Sequence, residues 1–210
     1  MVLFDLDGTL TNSGAGIANS VSFALSALGA APLSDAQLRA FVGPPAHDSF
    51  AALGFDAATA ERAVVEFRRY MADKGLYENE VYPGIEDVLR ALRGNGVTMA
   101  VATSKPTVFA TRVLEHFALS GYFAYVSGSE LDGRARAKHE VITIAMAALG
   151  LEGRDDVCMV GDRVFDLAGA ATVGMPAIAV AWGYAADGEL EAAGATAVAH
   201  TPADLLALLS

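Results

Sequence analysis

The 210-residue sequence predicts an α/β fold, a Rossmann-like parallel sheet carrying an inserted all-helical domain, and three observations lead there. A short apolar run, Val2-Leu3-Phe4, stops abruptly at the carboxylates Asp5 and Asp7, as a buried central strand does where its polar end meets solvent or ligand. Between 17 and 79 the apolar residues recur at helical steps and no strand pattern intervenes. From 83 onward strands alternate with helices, the pattern of parallel βαβ units whose sheet is covered on both faces. The expected division is therefore an α/β core from 1–14 and 83–210 and a helical domain from 15–82.

The elements follow in order. Residues 8–16, rich in Gly, Thr, Ser and Asn, predict a loop. Ile17, Val21, Ala24, Leu25 and Leu28 lie on one face of a first helix, which Gly29 ends. Ser34 with Gln37 forms a capping-box pair that opens a second helix. Gly43-Pro44-Pro45 breaks the chain, a short helix follows to Leu53, and 57–74 predicts a longer amphipathic helix. Beyond Tyr82-Pro83-Gly84, helices are expected over 85–92, 106–117, 138–149 and 166–172. They alternate with strands over 97–102, 122–126, 157–160 and 177–180. Thr201-Pro202 opens the last helix with proline at its first position.

Composition narrows the function. Hydrophobic residues make up 53% of the chain and charged ones 19%, which suits a filled core rather than disorder. A net charge of −11 argues against a nucleic-acid polymer or an anionic membrane as partner, since both need clustered Lys and Arg. An anionic small molecule would need a local cation. Cys158 is the only cysteine and His47, His116, His139 and His200 are scattered, so neither an intramolecular disulfide nor zinc-type spacing is expected. The terminus over 1–6 has no basic region and no long apolar stretch, and the uncharged 168–186 segment is broken by Gly169, Gly174, Pro176 and Gly183. A cytoplasmic protein is the expectation. Nothing in the sequence bears on oligomeric state.

In open α/β sheets ligands bind beyond the carboxyl ends of the strands. Four predicted strand ends carry polar residues: Asp5 and Asp7; Thr103 and Ser104; Ser127, with Lys138 some way after it; and Asp162, then Asp166. Carboxylates gathered there repel one another and raise each other's pKa. A hard, oxygen-preferring cation such as Mg²⁺ relieves that repulsion. A lysine and a hydroxyl beside it suit the oxygens of a phosphoryl group. A carboxylate is also a competent nucleophile toward phosphorus. A second one, two residues later on the same side of an extended strand, suits general acid and base work.

Asp5-Leu6-Asp7-Gly8-Thr9-Leu10 resembles the first motif of the haloacid dehalogenase-like hydrolase superfamily. Thr103 resembles its second motif, Lys138 its third, and Gly161-Asp162 with Asp166 its fourth, in matching order across essentially the whole chain. The helical insertion is similar to the small cap of the phosphoglycolate phosphatase-like branch. Many relatives set the third-motif lysine in a Lys-Pro pair; here Lys138-His139 stands, within a run from Gly128. With Gly161-Asp162-Arg163 and Gly43-Pro44-Pro45, that run looks more like a bacterial group labelled 5′-nucleotidase-like or phosphotyrosine phosphatase-like.

The resemblance implies roles. Asp5 is the nucleophile and a Mg²⁺ ligand; Asp7 is the general acid and base and offers its carbonyl to the metal. Thr103 and the Ser104 amide bind the phosphoryl group, and Lys138 neutralises phosphate and nucleophile. Asp162 and Asp166 hold Mg²⁺, Gly8 lets the chain turn close to the phosphate, and Thr9 supports the loop. It also implies Mg²⁺-dependent hydrolysis of a small phosphorylated metabolite, such as phosphoglycolate or a nucleoside 5′-monophosphate, through an aspartyl-phosphate. Asp7 favours phosphatase over dehalogenase chemistry, because a halide leaves without a proton. A sugar-phosphate phosphomutase on the same scaffold stays open as the alternative.

Other residues read more plainly. Arg134 or Arg136 is an alternative to Lys138 as the cation. Lys105 reads as a solvated first-turn residue, His47 as a helix-start residue that a loop could turn toward the site, and Trp182 as packing near the sheet edge.

Overall fold

The computed structural model describes residues 1–132, 137–151, 153 and 156–209, so Arg134 and Arg136 lie outside the described residues. Six strands form one sheet: β1 (Val2–Phe4), β2 (Met99–Pro106), β3 (Tyr125–Ser129), β4 (Cys158–Gly161), β5 (Ala177–Val180) and β6 (Ala197–Ala199). Their order is β3-β2-β1-β4-β5-β6, and every neighbouring pair is parallel. The chain thus runs outward from β1 in one direction and then returns to build the other half, which places a crevice at the carboxyl ends of β1 and β4.

Alternation along β1 shows why the sheet is covered on both faces. Val2 and Phe4 join a core with helices α5 (Ile85–Gly94) and α6 (Thr107–His116) and the last helix (Pro202–Leu208). Leu3 points the other way, into a core with α7 (Lys138–Ala148) and α8 (Val164–Thr172). Phe4 and Leu3 are both fully buried, as residues of a central parallel strand are.

Between β1 and α5 lies an insertion that is helical throughout: α1 (Gly14–Ala27), α2 (Asp35–Arg39), α3 (Ala46–Ala52) and α4 (Ala57–Tyr70), followed by a π-helical turn at Met71–Gly75. The expected helix over 57–74 therefore changes its hydrogen-bond spacing for its last turn. Packing gives a reason. α1 crosses that turn so closely that a Cβ on Gly16 would sit 2.0 Å from the Gly75 carbonyl oxygen. The Ser34–Gln37 capping box forms as expected. The chain enters and leaves the insertion side by side: Asn12 N–H donates to the Glu80 carbonyl at 2.7 Å and Tyr82 N–H to the Leu10 carbonyl at 3.1 Å.

Two strands differ from expectation by more than two residues at an end. β2 continues four residues past the expected 102, with a register shift against β3 between Ala102 and Pro106. β3 begins at Tyr125, because residues Ser120–Tyr122 form a 3₁₀ turn. One strand, β6, had no sequence signal: three small and apolar residues show neither alternation nor length.

Candidate active site

The parallel register delivers the polar strand ends to one edge. Asp5 follows β1 and Asp162 follows β4, which pair residue for residue from Val2 with Cys158 to Phe4 with Val160. Asp166 comes from the first turn of α8, and Lys138 is the first residue of α7. Asp5, Asp162 and Asp166 each offer an oxygen within 4.8 Å of the others. The Lys138 ammonium reaches Asp5 Oδ1 at 2.8 Å, Asp166 Oδ1 at 2.7 Å and the Ala102 carbonyl at 3.1 Å. All four groups are buried.

One cation shared by three carboxylates leaves two negative charges uncompensated, and the titration behaviour follows. Burial pushes the Asp5 carboxyl up to about 6; Lys138 opposes this, while Asp166 and Asp7 add to it. Burial likewise raises Asp162 well above its ordinary 3.8, helped by Asp166 and Asp5 and opposed by hydrogen bonds from Tyr184 and Thr9. Burial alone would lower Lys138, but Asp166 and Asp5 outweigh it and hold the ammonium charged. The directions fit together: the lysine has more negative partners than it needs, and the carboxylates share too little positive charge. Asp5 Oδ1 and Asp166 Oδ1 share the Lys138 ammonium and have no hydrogen bond from any other group among the described residues. Two buried carboxylate oxygens that share a single ammonium, in an all-carboxylate set, fit a hard divalent cation.

Close packing orients this set. Gly8 has φ +91°, which favours glycine, and a Cβ there would lie 2.2 Å from Asp162 Oδ2. Asp162 accepts from Thr9 Oγ1 at 3.1 Å and from the Tyr184 N–H at 2.8 Å. Asp166 works with both oxygens: Oδ2 accepts the Arg163 N–H at 3.0 Å and caps α8, while Oδ1 faces Lys138. Gly169 leaves room for the lysine stem, since a Cβ there would lie 2.6 Å from Lys138 Cγ.

The remaining expected residues line a cleft between this edge and the helical insertion. Asp5, Asp7, Thr103 and Ser104 face it from the sheet, and His47 from the insertion. Thr103 is buried, with its hydroxyl accepting the Lys105 N–H at 3.3 Å. The Ser104 carbonyl accepts from Ser129 Oγ at 2.8 Å.

Lys105 is not a solvated first-turn residue. It is buried and donates to both oxygens of Asp7, each at 2.9 Å. The reason is the length of β2: the strand carries Lys105 into the site, and α6 starts only at Thr107. Trp182 does more than pack at an edge, because its indole N–H donates to the Thr9 carbonyl at 3.1 Å. Tyr184 gave no sequence signal. Its hydroxyl donates to Asn12 Oδ1 and accepts the Gly14 N–H, tying the loop after β5 to the loop after β1.

Comparison with known proteins places this geometry among relatives. Residues 2–180 match the family model described as haloacid dehalogenase-like hydrolase. A 5′-nucleotidase of Pseudomonas aeruginosa is 45% identical over 99% of this chain and 92% of its own. The tyrosine-protein kinase PtkA of Mycobacterium tuberculosis is 39% identical over 95% of this chain and 68% of its own. The crystal structure of a predicted phosphatase from Clostridium acetobutylicum superposes with a TM-score of 0.95 at 42% identity, covering 99% of this chain and 96% of that one.

Proposed function

The chain belongs to the haloacid dehalogenase-like hydrolase family, and from that premise we propose that it is a Mg²⁺-dependent phosphomonoester hydrolase working through an aspartyl-phosphate on Asp5. The observation that carries this is the arrangement of Asp5, Asp162 and Asp166 around Lys138, with Asp7 separate and facing the same cleft.

Asp5, Asp162, Asp166 and the Asp7 carbonyl would hold the ion. When bound, Mg²⁺ supplies positive charge to the phosphoryl oxygens. In the first half-reaction a carboxylate oxygen of Asp5 forms the bond to phosphorus and the ester P–O bond breaks. The leaving oxygen takes the proton of Asp7. In the second half Asp7 takes a proton from water, whose oxygen bonds to phosphorus while the Asp5–phosphorus bond breaks. Thr103 and the Ser104 amide hydrogen-bond the phosphoryl oxygens, Lys138 compensates their charge, and the Gly8 turn brings the loop against them. Residues 15–82 act as a cap over a core of 1–14 and 83–210. The paired entry and exit segments and the helical content of the insertion support that division.

The substrate is a small phosphorylated metabolite. Of phosphoglycolate and a nucleoside 5′-monophosphate, the cleft favours the second. Phe41, Phe67 and Phe109 line it, while its cations Lys105 and Arg68 are already bonded to Asp7 and to the Leu131 carbonyl. A panel of phosphorylated metabolites, assayed for phosphate release with Mg²⁺ and with chelator, is expected to show Mg²⁺-dependent turnover highest on nucleoside monophosphates. No release from any member in the presence of Mg²⁺ would overturn the reading. The mycobacterial relative's name supports one second reading, transfer of the Asp5-bound phosphoryl group to a hydroxyl, of which a sugar-phosphate phosphomutase is one case. Product analysis separates the two by whether free phosphate accumulates.

Protons compete with the metal for the same oxygens. The folded-state pKa of Asp5 lies above its ordinary 3.8, at about 6. The native fold therefore binds more protons than the unfolded chain in this window, and the metal-free protein loses stability from this site as pH rises from about 4 to about 6. Asp162 acts in the same direction. Bound Mg²⁺ offsets that loss, so the rise in Tm on adding Mg²⁺ is expected to be larger near pH 7 than near pH 5. An equal rise at both would contradict the site.

A further inference from the structure

Two lysines divide the buried carboxylates of the site between them. Lys138 serves Asp5 and Asp166 beside Asp162, whereas Lys105 serves Asp7. The second pairing is built into the backbone. The shift of register beyond Ala102 lets β2 and β3 approach so closely that a Cβ on Gly128 would lie 2.4 Å from the Lys105 carbonyl oxygen. Thr103 Oγ1 accepts the Lys105 N–H, and Gly128 N–H donates to Thr107 Oγ1 at 3.1 Å. Held at this point, the Lys105 side chain is 6% exposed and spans both Asp7 oxygens.

Asp7 lies two residues beyond Asp5, close enough to act on its charge. Without a partner of its own, an acidic side chain there is free to turn toward a cation held by Asp5, Asp162 and Asp166. It would then be lost to the leaving group. We propose that Lys105 is the positioning residue of the proton carrier: it holds the Asp7 carboxylate facing the cleft and apart from the cation site. After the proton has passed to the leaving oxygen, the ammonium pairs with the carboxylate that remains and keeps it aimed for the attacking water. The proposal rests on the phosphatase reading of Asp7.

The test compares two esters of similar size, 4-nitrophenyl phosphate and 2-phenylethyl phosphate. Nitrophenolate leaves without a proton, while the alkoxide needs one. Lys105→Met keeps the length of the side chain and removes its charge. The value of kcat/KM reports steps up to formation of the Asp5-phosphoryl group. For Lys105→Met it is expected to fall at least about tenfold further on the alkyl ester than on the aryl ester. Asp7→Asn is expected to show the same imbalance. Lys105→Arg, which keeps the charge, is expected to recover part of the alkyl activity, and it carries the comparison if Lys105→Met does not fold. Equal losses on both esters, or no loss, with an active wild-type enzyme overturn this proposal alone. A wild-type enzyme inactive on both esters removes the phosphatase reading and this proposal together.

Discussion

Asp5→Asn is expected to abolish turnover and at the same time to stabilise the metal-free protein. As the proposed nucleophile, Asp5 has no substitute: Asn is a poor nucleophile toward phosphorus, and single losses of this kind cost on the order of 10³–10⁶ in kcat. Lys138, Thr103 and the loop at Gly8 stay in place, so substrate binding should survive better than turnover. Stability moves the other way because burial, Asp166 and Asp7 outweigh what Lys138 returns, and the ionised Asp5 strains the fold. A shift to about 6 corresponds to a few kcal/mol, on the order of 1–3, and to a Tm several degrees higher at about pH 7. A paired measurement of kcat and metal-free Tm checks both signs, on protein whose mass confirms that Asn has not reverted to Asp. Preserved turnover refutes the nucleophile; a clear fall in Tm refutes the electrostatic account.

Lys138→Met is the second large effect, and here activity and stability fall together. The lysine is buried and bridges Asp5 and Asp166. Removing one partner of a buried set leaves the others unpaired, at a cost of about 3–5 kcal/mol, or on the order of 10 °C in Tm for a chain of this size. Lys138 is raised above its ordinary 10.5 in the fold. Its stabilisation is thus complete below that value and lost only at higher pH, so the loss in the variant is full at neutral pH. Acidification protonates the orphaned carboxylates and should return part of the difference, as should Mg²⁺. Activity falls by about 10²–10³, the scale for removing one preorganised charge from a developing negative centre. Thermal melts at about pH 5 and pH 7, with and without Mg²⁺, read the pattern. A variant as stable as wild type near pH 7 without metal would show that Lys138 does not carry the carboxylates.

The parts of the site that were legible share one cause. Asp5, Lys138, Asp162 and Asp166 lie just beyond strand ends or in the first turn of a helix, and a parallel sheet brings such positions to one edge whatever the details. The helical insertion was legible because its apolar spacing never changes period. Lys105 was not, because its role depends on where β2 stops. A strand ending at 102 would put it in a solvated turn; the observed strand carries it to Asp7. Tyr184 and Trp182 were opaque for another reason. They act through a backbone N–H, a hydroxyl and an indole N–H on the loops after β1 and β4, and no local pattern marks a residue that returns from another strand. β6 escaped because three residues of Ala and Val carry too little alternation to separate strand from loop.

The central claim is a phosphoryl group carried by Asp5, and trapping it is the most direct test. Asp7→Asn removes the proposed base for water, so an aspartyl-phosphate formed from 4-nitrophenyl phosphate in Mg²⁺ should persist long enough to quench. Borohydride reduction then converts an acyl-phosphorylated aspartate to homoserine, which peptide mass spectrometry locates. Homoserine is expected at position 5, dependent on both Mg²⁺ and substrate. Reduction at another aspartate, or none while wild-type enzyme releases phosphate under the same conditions, would contradict it.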